Sequence, residues 1–256
     1  NSTLTIAALI MVLGVPVIAF IYAAIKLLFN LKTNNKAIGI GLFSIWIVGI
    51  VLSFYIGSTT VSQFANNQKT KNTIEWTSNS NTIYLNALTE EDDLFNDFTF
   101  PPEVGNLWIE EGKVYYDNLE VDVLASRGNK IEIIVEQLAH GKTRKLAKER
   151  AEKINYSYLL QDSSLKINPY LNFDLNDRLR GQEIKIHILL PIGSKIVLEE
   201  GSEQIIYDIK NVTNEYDGDM IGEIWIMLEN GLNCLDCALL PSVSSQQIDT
   251  IKTSIK

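Results

Sequence analysis

The first part of this sequence has no acidic residues: Asp and Glu are absent until Glu75, and all 31 of them follow from there. Basic residues are also rare in the first sixty positions, where only Lys26, Lys32 and Lys36 occur. The formal net charge of −9 therefore comes from the later part of the chain. Because phosphate binding needs a basic surface, this balance argues against a nucleic-acid partner.

Cysteine and histidine, two residue types that often catalyse reactions or bind metals, are also scarce. The chain has two cysteines, Cys234 and Cys237, and two histidines, His140 and His187, neither of which has ligand spacing to the cysteine pair. There is no phosphate-binding glycine loop, no Gly-x-Ser-x-Gly turn and no zinc-hydrolase helix. We therefore predict a protein that is not an enzyme, with no catalytic residue, cofactor or metal.

Long apolar runs are present instead. The first covers about residues 4–31 and carries only Lys26, and the second covers about 37–57 and is uncharged. Each is long enough to cross a bilayer, which takes roughly 20 apolar residues. No basic segment precedes the first run, which argues against a cleaved signal peptide. We predict a transmembrane helical hairpin over 1–60, in contact with the lipid bilayer.

The connector between the two runs, residues 32–36, reads Lys-Thr-Asn-Asn-Lys. Together with Lys26 it carries the basic charge of the hairpin, so the positive-inside rule places it in the cytoplasm. The domain that follows the second helix is then expected outside the cytoplasm. Because the chain begins with Asn rather than Met, we expect a fragment or a processed form of a longer protein.

Two features of the apolar runs point to helix packing. Pro16 lacks an amide N–H and should kink the first helix. Gly49, Ser53 and Gly57 form a stripe of small residues that permits close approach of another helix. We expect this stripe to pack within the hairpin, with self-association into a homo-oligomer or contact with another membrane protein as alternatives.

After the hairpin we predict a polar linker over 61–81, a β-rich domain over 82–237 and a tail over 238–256. Alternating apolar and polar residues predict strands with one buried face. They occur in the segments 83–87, 107–110, 114–117, 119–123, 130–136, 183–190, 195–199 and 223–228. One segment, 143–154, has helical spacing and predicts a single amphipathic helix. The fold class is thus a membrane-anchored, mainly β protein, with a solenoid or a sandwich as the architecture of its domain.

The pair Cys234-Leu-Asp-Cys237 has three interpretations: a redox motif, half of a zinc site, or a local disulfide. A full zinc site would need two further ligands. In an oxidising compartment a structural disulfide is the simplest expectation.

Several motifs in this order resemble a known family. They are the Gly-x-Pro sequence ending at Pro16, the Lys-Thr-Asn-Asn-Lys connector and the Trp-Ile-Val-Gly sequence ending at Gly49. Two later ones are Glu-Ile-Lys-Ile-His-Ile-Leu-Leu-Pro-Ile-Gly over 183–193 and Glu-Ile-Trp-Ile-Met-Leu-Glu-Asn-Gly-Leu-Asn-Cys-Leu-Asp-Cys over 223–237. Over about 4–237 the chain resembles the C-terminal half of bacterial phage-shock-protein-C (PspC) related membrane proteins, with a transmembrane region followed by a toastrack β-domain.

This resemblance implies a multi-pass protein of the bacterial inner membrane that senses or answers envelope stress, with a periplasmic β-domain as a scaffold for other envelope proteins. It implies no catalytic residues. The alternative is a periplasmic thiol-redox or metal-binding protein that uses Cys234 and Cys237.

Overall fold

The protein is represented by a computed structural model, which describes residues 2–30, 35–76, 80–89, 107–235 and 237. The predicted connector over 32–36 lies largely outside the described residues, and the predicted tail over 238–256 lies wholly outside them. The chain divides into two compact units. The first holds the apolar helices, and the second is the β-rich domain.

The two apolar runs are helical, as predicted. Helix α1 (Ser2–Leu9) continues through a π-helical turn (Ile10–Gly14) into α2 (Val15–Phe29), and α3 (Asn35–Ser62) follows. The stretches Thr3–Phe29 and Lys36–Ser62 are each 27 residues long and apolar enough to cross a membrane. Most of their large side chains are exposed, as side chains that contact lipid would be; Phe20 is 77% exposed and Leu27 is 87% exposed.

The predicted linker differs from the structure. Helix α3 extends to Ser62, and strand β1 already begins at Asn66 and runs to Trp76. The described part of the predicted polar linker over 61–81 therefore includes the end of a helix and a whole strand. Its Asn, Gln, Lys and Thr residues carry no apolar alternation, so the strand depends on its neighbour β6 in the sheet.

Within its described residues, the β-rich domain contains three sheets of hydrogen-bonded strands. The first has the order β1-β6-β10-β5, the second β13-β12-β11-β2-β8-β7, and the third β3-β4-β9. The strands not yet defined are β2 (Thr82–Ala87), β3 (Leu107–Glu110), β4 (Lys113–Tyr116), β5 (Leu119–Ser126), β6 (Ile131–Gly141), β7 (Tyr158–Gln161), β8 (Ser164–Ile167), β9 (Leu171–Asp174), β10 (Glu183–Pro191), β11 (Lys195–Leu198), β12 (Ile224–Leu228) and β13 (Gly231–Cys234).

The sheets mix parallel and antiparallel pairs. β10 runs parallel to β5 and antiparallel to β6. β2 is parallel to both of its neighbours, β11 and β8. The alternation predicted from the sequence is present in β6 and β10, where every second residue is buried. The buried faces of all three sheets join in one hydrophobic core, with Trp225 and Phe173 among its largest members.

One local prediction is confirmed. The single amphipathic helix is α4 (Arg144–Ala151), which buries Ala147 and Ala151. The turn between β3 and β4 has positive φ at both Glu111 (46°) and Gly112 (79°). Two central residues with positive φ are typical of the tight turn whose twist matches that of a β-hairpin.

Candidate functional site: the contact face of the helix pair

Pro16 leaves one carbonyl in the first helix without its usual donor. In an α-helix the N–H of residue 16 would donate to the carbonyl of Val12, but proline has no N–H. The structure provides a donor from the other helix: the indole Nε1 of Trp46 donates to the carbonyl oxygen of Val12 at 3.2 Å. Val12 lies within the π-helical turn, where the backbone hydrogen bonds depart from the regular α-helical pattern. Helix α3 thereby satisfies a polar group that lipid cannot hydrogen-bond.

Gly49 lies almost one turn after Trp46 and allows the two helices to approach closely. A Cβ atom at this position would lie 2.6 Å from the Cβ of Met11 and 3.3 Å from its carbonyl carbon. Any larger residue at 49 would therefore push the helices apart. Ala8 and Val15, which precede and follow Met11 on the first helix, are the buried apolar residues of this helix. The contact is specific in both shape and hydrogen bonding.

The three residues of the predicted small-residue stripe, Gly49, Ser53 and Gly57, do not share one environment in the structure. Gly49 lies in the helix contact, whereas a Cβ on Gly57 would have no neighbour within 4 Å. Ser53 and Gly57 instead line two open grooves along the helix pair, of about 790 Å³ and 370 Å³. Val12 lines both grooves as well. Ser53 and Gly57 are thus left open to lipid or to another helix.

The lining of the grooves limits their chemistry. The larger groove is formed by Val12, Ile50, Ser53, Phe54, Gly57, Ser58, Val61 and Ser62. This set contains no ionisable side chain, so the groove fits an acyl chain or an apolar helix face rather than a polar substrate. Pro16, the predicted kink, is the second residue of α2 and lies just after the π-helical turn.

The second candidate feature lies at the last hairpin of the β-domain. Cys234 and Cys237 are joined as a disulfide, with their Cα atoms 5.7 Å apart. Glu223 offers a carboxylate oxygen within 4.8 Å of the two sulfur atoms. Sequence reasoning missed Glu223 because it lies eleven positions before Cys234 and reaches the pair only through the pairing of β12 with β13.

The outer face of the four-stranded sheet carries charges of alternating sign from strand to strand. Lys69 contacts Glu136 at 3.0 Å. Lys185 lies between Glu120 at 2.8 Å and Glu183 at 3.1 Å. The hydrogen bonds to these two carboxylates raise the pKa of Lys185. The two cross-strand pairs, Lys69 with Glu136 and Lys185 with Glu120, fix the register of neighbouring strands more than they add stability.

His187 lies on this face beside Asp122. Its Nδ1 is 3.7 Å from Oδ2 of Asp122, longer than a hydrogen bond. Within the part of the chain that the structure describes, His187 Nδ1 and Asp122 Oδ1 are buried and have no hydrogen-bond partner. Burial raises the pKa of Asp122, although nearby His187 acts in the opposite direction.

In the residues that the structure describes, the architecture defines a class: a protein with two helices long and apolar enough to span a membrane, followed by a β-rich domain of three mixed sheets. Comparison with known families agrees with this. Residues 109–240 match the model described as "ToastRack found in some PspC", and residues 1–64 match the "PspC transmembrane region". The chain belongs to the PspC-related family with a C-terminal toastrack domain.

No curated protein matches the chain. A solved structure, described as that of a candidate adhesin from Parabacteroides merdae, is similar at 8% identity with a TM-score of 0.19. The match covers 52% of this chain and 35% of that one. This likeness is too weak to support any argument about function.

Proposed function

We propose that this protein is a non-enzymatic, membrane-anchored scaffold that senses envelope stress or transmits a response to it. The family to which the chain belongs supports this proposal, since its members join a PspC transmembrane region to a toastrack domain. In this proposal the β-domain lies outside the cytoplasm of a bacterial inner membrane and binds another envelope protein. The lysines at the hairpin connector support that orientation.

The observation that carries the mechanism is the hydrogen bond from Trp46 to the carbonyl of Val12, which Pro16 leaves without its helical donor. It gives the helix pair one defined arrangement, and the open positions at Ser53 and Gly57 leave room for a second one. A partner can signal through the helices only if it binds the two arrangements with different affinity. The chain between α3 and β1 is three residues long, and its amides at Gln63, Phe64 and Ala65 continue hydrogen bonds of a helical type. In this proposal, partner binding to the β-domain and the arrangement of the helices are linked through this short segment.

The test is a stress-responsive reporter in the bacterium that encodes the protein, with the chromosomal copy replaced by variants. Gly49→Leu separates the helices at their contact and should change the reporter response. Gly41→Leu, in the same helix where a Cβ would meet nothing within 4 Å, is the matched control and should behave as wild type. Deletion of residues 66–237 should abolish the response. An unchanged response in both the deletion and Gly49→Leu would contradict the proposal.

Orientation is tested separately by labelling. Single cysteines at Asn34 and Glu111, in a Cys234→Ser/Cys237→Ser background, are exposed to an impermeant maleimide in intact cells. Labelling at 111 and protection at 34 is the expected result. The reverse would place the β-domain in the cytoplasm.

The alternative function, a periplasmic thiol-redox or metal-binding protein, makes a different prediction. In that case Cys234→Ser/Cys237→Ser would abolish the response. The scaffold proposal expects the response to persist in this variant, because the helix contact does not involve the cysteines.

A further inference from the structure

Three ligand-bearing side chains meet at the last hairpin of the β-domain. A carboxylate oxygen of Glu223 and the Sγ atoms of Cys234 and Cys237 all lie within 4.8 Å of one another, and each residue is partly buried. We propose that these three residues form a redox-gated site for a divalent zinc ion, closed while the disulfide is intact and available when it is reduced. The inference does not depend on the proposed scaffold function.

Strand pairing holds the three residues in place. Trp225 in β12 is the register partner of Cys234 in β13, and the amide of Leu235 donates to the carbonyl of Ile224 at 2.9 Å. Glu223, just before β12, is thereby fixed beside the turn that carries the cysteines. In a tetrahedral zinc site, with Zn–S distances of about 2.3 Å and Zn–O distances of about 2.0–2.2 Å, neighbouring ligand atoms are roughly 3.5–4 Å apart. Reduction of the disulfide and a small side-chain adjustment bring the set to this spacing.

The backbone of the turn already supports a thiolate. The amide N–H of Cys237 donates to Sγ of Cys234 at 3.0 Å. A hydrogen bond of this kind stabilises a negatively charged sulfur more than a neutral one, so it favours the form of cysteine that binds metal. The donor comes from the backbone and does not depend on the oxidation state of the pair. The turn is therefore preorganised for coordination.

The gating step is a thiol–disulfide exchange with a dithiol reductant. The reductant supplies two electrons and two protons, the Sγ–Sγ bond breaks, and the reductant becomes a disulfide. The two thiols then lose their protons to solvent as the metal binds. Two thiolates and one carboxylate compensate the ion's double positive charge, and the fourth tetrahedral position remains for water or another ligand.

The bridge encloses a very small loop, since its cysteines are three positions apart. A disulfide stabilises a fold least when the loop is short. The domain can therefore tolerate opening of this bond, which a reversible gate requires.

The test uses the full chain in detergent, with cobalt(II) as a spectroscopic probe and zinc(II) as its competitor. Reduced protein should bind one cobalt ion per chain with thiolate-to-cobalt charge-transfer absorption and the visible bands of tetrahedral cobalt. Oxidised protein should show neither, and this control needs no substitution. Excess zinc should remove the cobalt spectrum.

Two variants test the role of the carboxylate. Glu223→Gln should weaken cobalt binding by at least about tenfold, since even indirect metal partners are worth that much. Glu229→Gln, an exposed residue in the turn of the same hairpin, should bind as wild type does. The site is rejected if reduced protein does not bind cobalt, if oxidised protein binds it equally well, or if the two variants have the same affinity.

Discussion

At the scale of single residues, the pairing of Pro16 with Trp46 shows how a local defect in one helix becomes a specific contact with another. Proline removes the donor to the Val12 carbonyl, and the indole N–H replaces it from across the pair. The sequence shows both residues but does not show that they act on the same carbonyl group. They are thirty positions apart, and their contact depends on the register of two helices packed side by side.

We predict that Trp46→Phe weakens the helix pair by about 1 kcal/mol, the usual scale of an interhelical hydrogen bond in a membrane. In a Pro16→Ala background the loss should be smaller, because the restored N–H at 16 can satisfy the Val12 carbonyl. The free energy of separating the helices in mixed micelles, followed by energy transfer between labels, measures both. Equal losses in the two backgrounds would show that the indole contributes only through packing.

Two carboxylates on the outer face of the four-stranded sheet should respond to pH in opposite ways. The hydrogen bond from Lys69 lowers the pKa of Glu136. It therefore contributes stability above the unfolded pKa near 4.5, and this is lost as pH falls through the lower folded value. Burial raises the pKa of Asp122, so its contribution is present below the unfolded pKa near 3.8 and is lost as pH rises through the higher folded value.

Accordingly, Glu136→Gln should destabilise the domain at pH 7, and Asp122→Asn should stabilise it, each by less than about 1 kcal/mol because the groups are partly solvated. Both differences should shrink once the pH falls below the two unfolded values. Denaturant unfolding of the full chain in detergent at neutral and acidic pH measures this. A loss of stability in Asp122→Asn at pH 7 would mean that contact with His187 outweighs the cost of burial.

At the scale of elements, the sequence predicts the helices and strands whose own residues show a regular pattern of apolar positions. The two apolar runs, the alternating strands such as β6 and β10 and the helix α4 are visible because burial alone determines them. Strand β1 was missed because its inward positions include Gln68 and Thr70, which are polar. Thr70 contacts the buried Gln137 of β6, with an oxygen–oxygen distance of 3.3 Å between side chains, so its place in the sheet comes from the partner.

Each candidate site likewise has a part that the sequence shows and a part that only the structure shows. The small-residue stripe is evident in the sequence, but only the structure separates Gly49, in the contact, from Ser53 and Gly57, which line the grooves. Likewise the cysteine pair is evident, whereas Glu223 joins it through strand pairing.

We predict that Gly49→Ala disturbs the helix pair and that Gly41→Ala does not. The added methyl at 49 meets Met11 at less than contact distance, and overpacking of this kind costs about 1–3 kcal/mol. The readout is the rate of disulfide cross-linking between cysteines at positions 8 and 53, which line the same groove, in a background without Cys234 and Cys237. A similar rate in both variants would mean that the first helix shifts at no cost.

At the scale of the whole molecule, the β-domain depends on its extended core and little on its disulfide. The bridge joins residues three positions apart. A loop of this size gives roughly 2 kcal/mol of stabilisation in the chain-entropy model, below the value for longer loops.

Replacement of both cysteines by serine should therefore leave the domain folded, with its free energy of unfolding reduced by about 2 kcal/mol or less. Circular dichroism and denaturant unfolding of the full chain in detergent, compared with wild type reduced by a dithiol, measure the effect. Global unfolding of the serine variant would assign the pair a larger structural role.

The parallel pairing of β2 with β8 and β11 limits the order in which the strands can pair during folding. Tyr84 pairs with Ser164, and Thr82 pairs with Lys195, so both neighbours of β2 are synthesised long after it. Contacts of such high sequence separation form slowly and only once the later segments are available. During synthesis, the two backbone edges of β2 therefore stay unpaired until β8 and β11 have emerged. A nascent chain that stops before Lys195 exposes an unpaired sheet edge, the kind of species that chaperones hold and quality-control proteases remove.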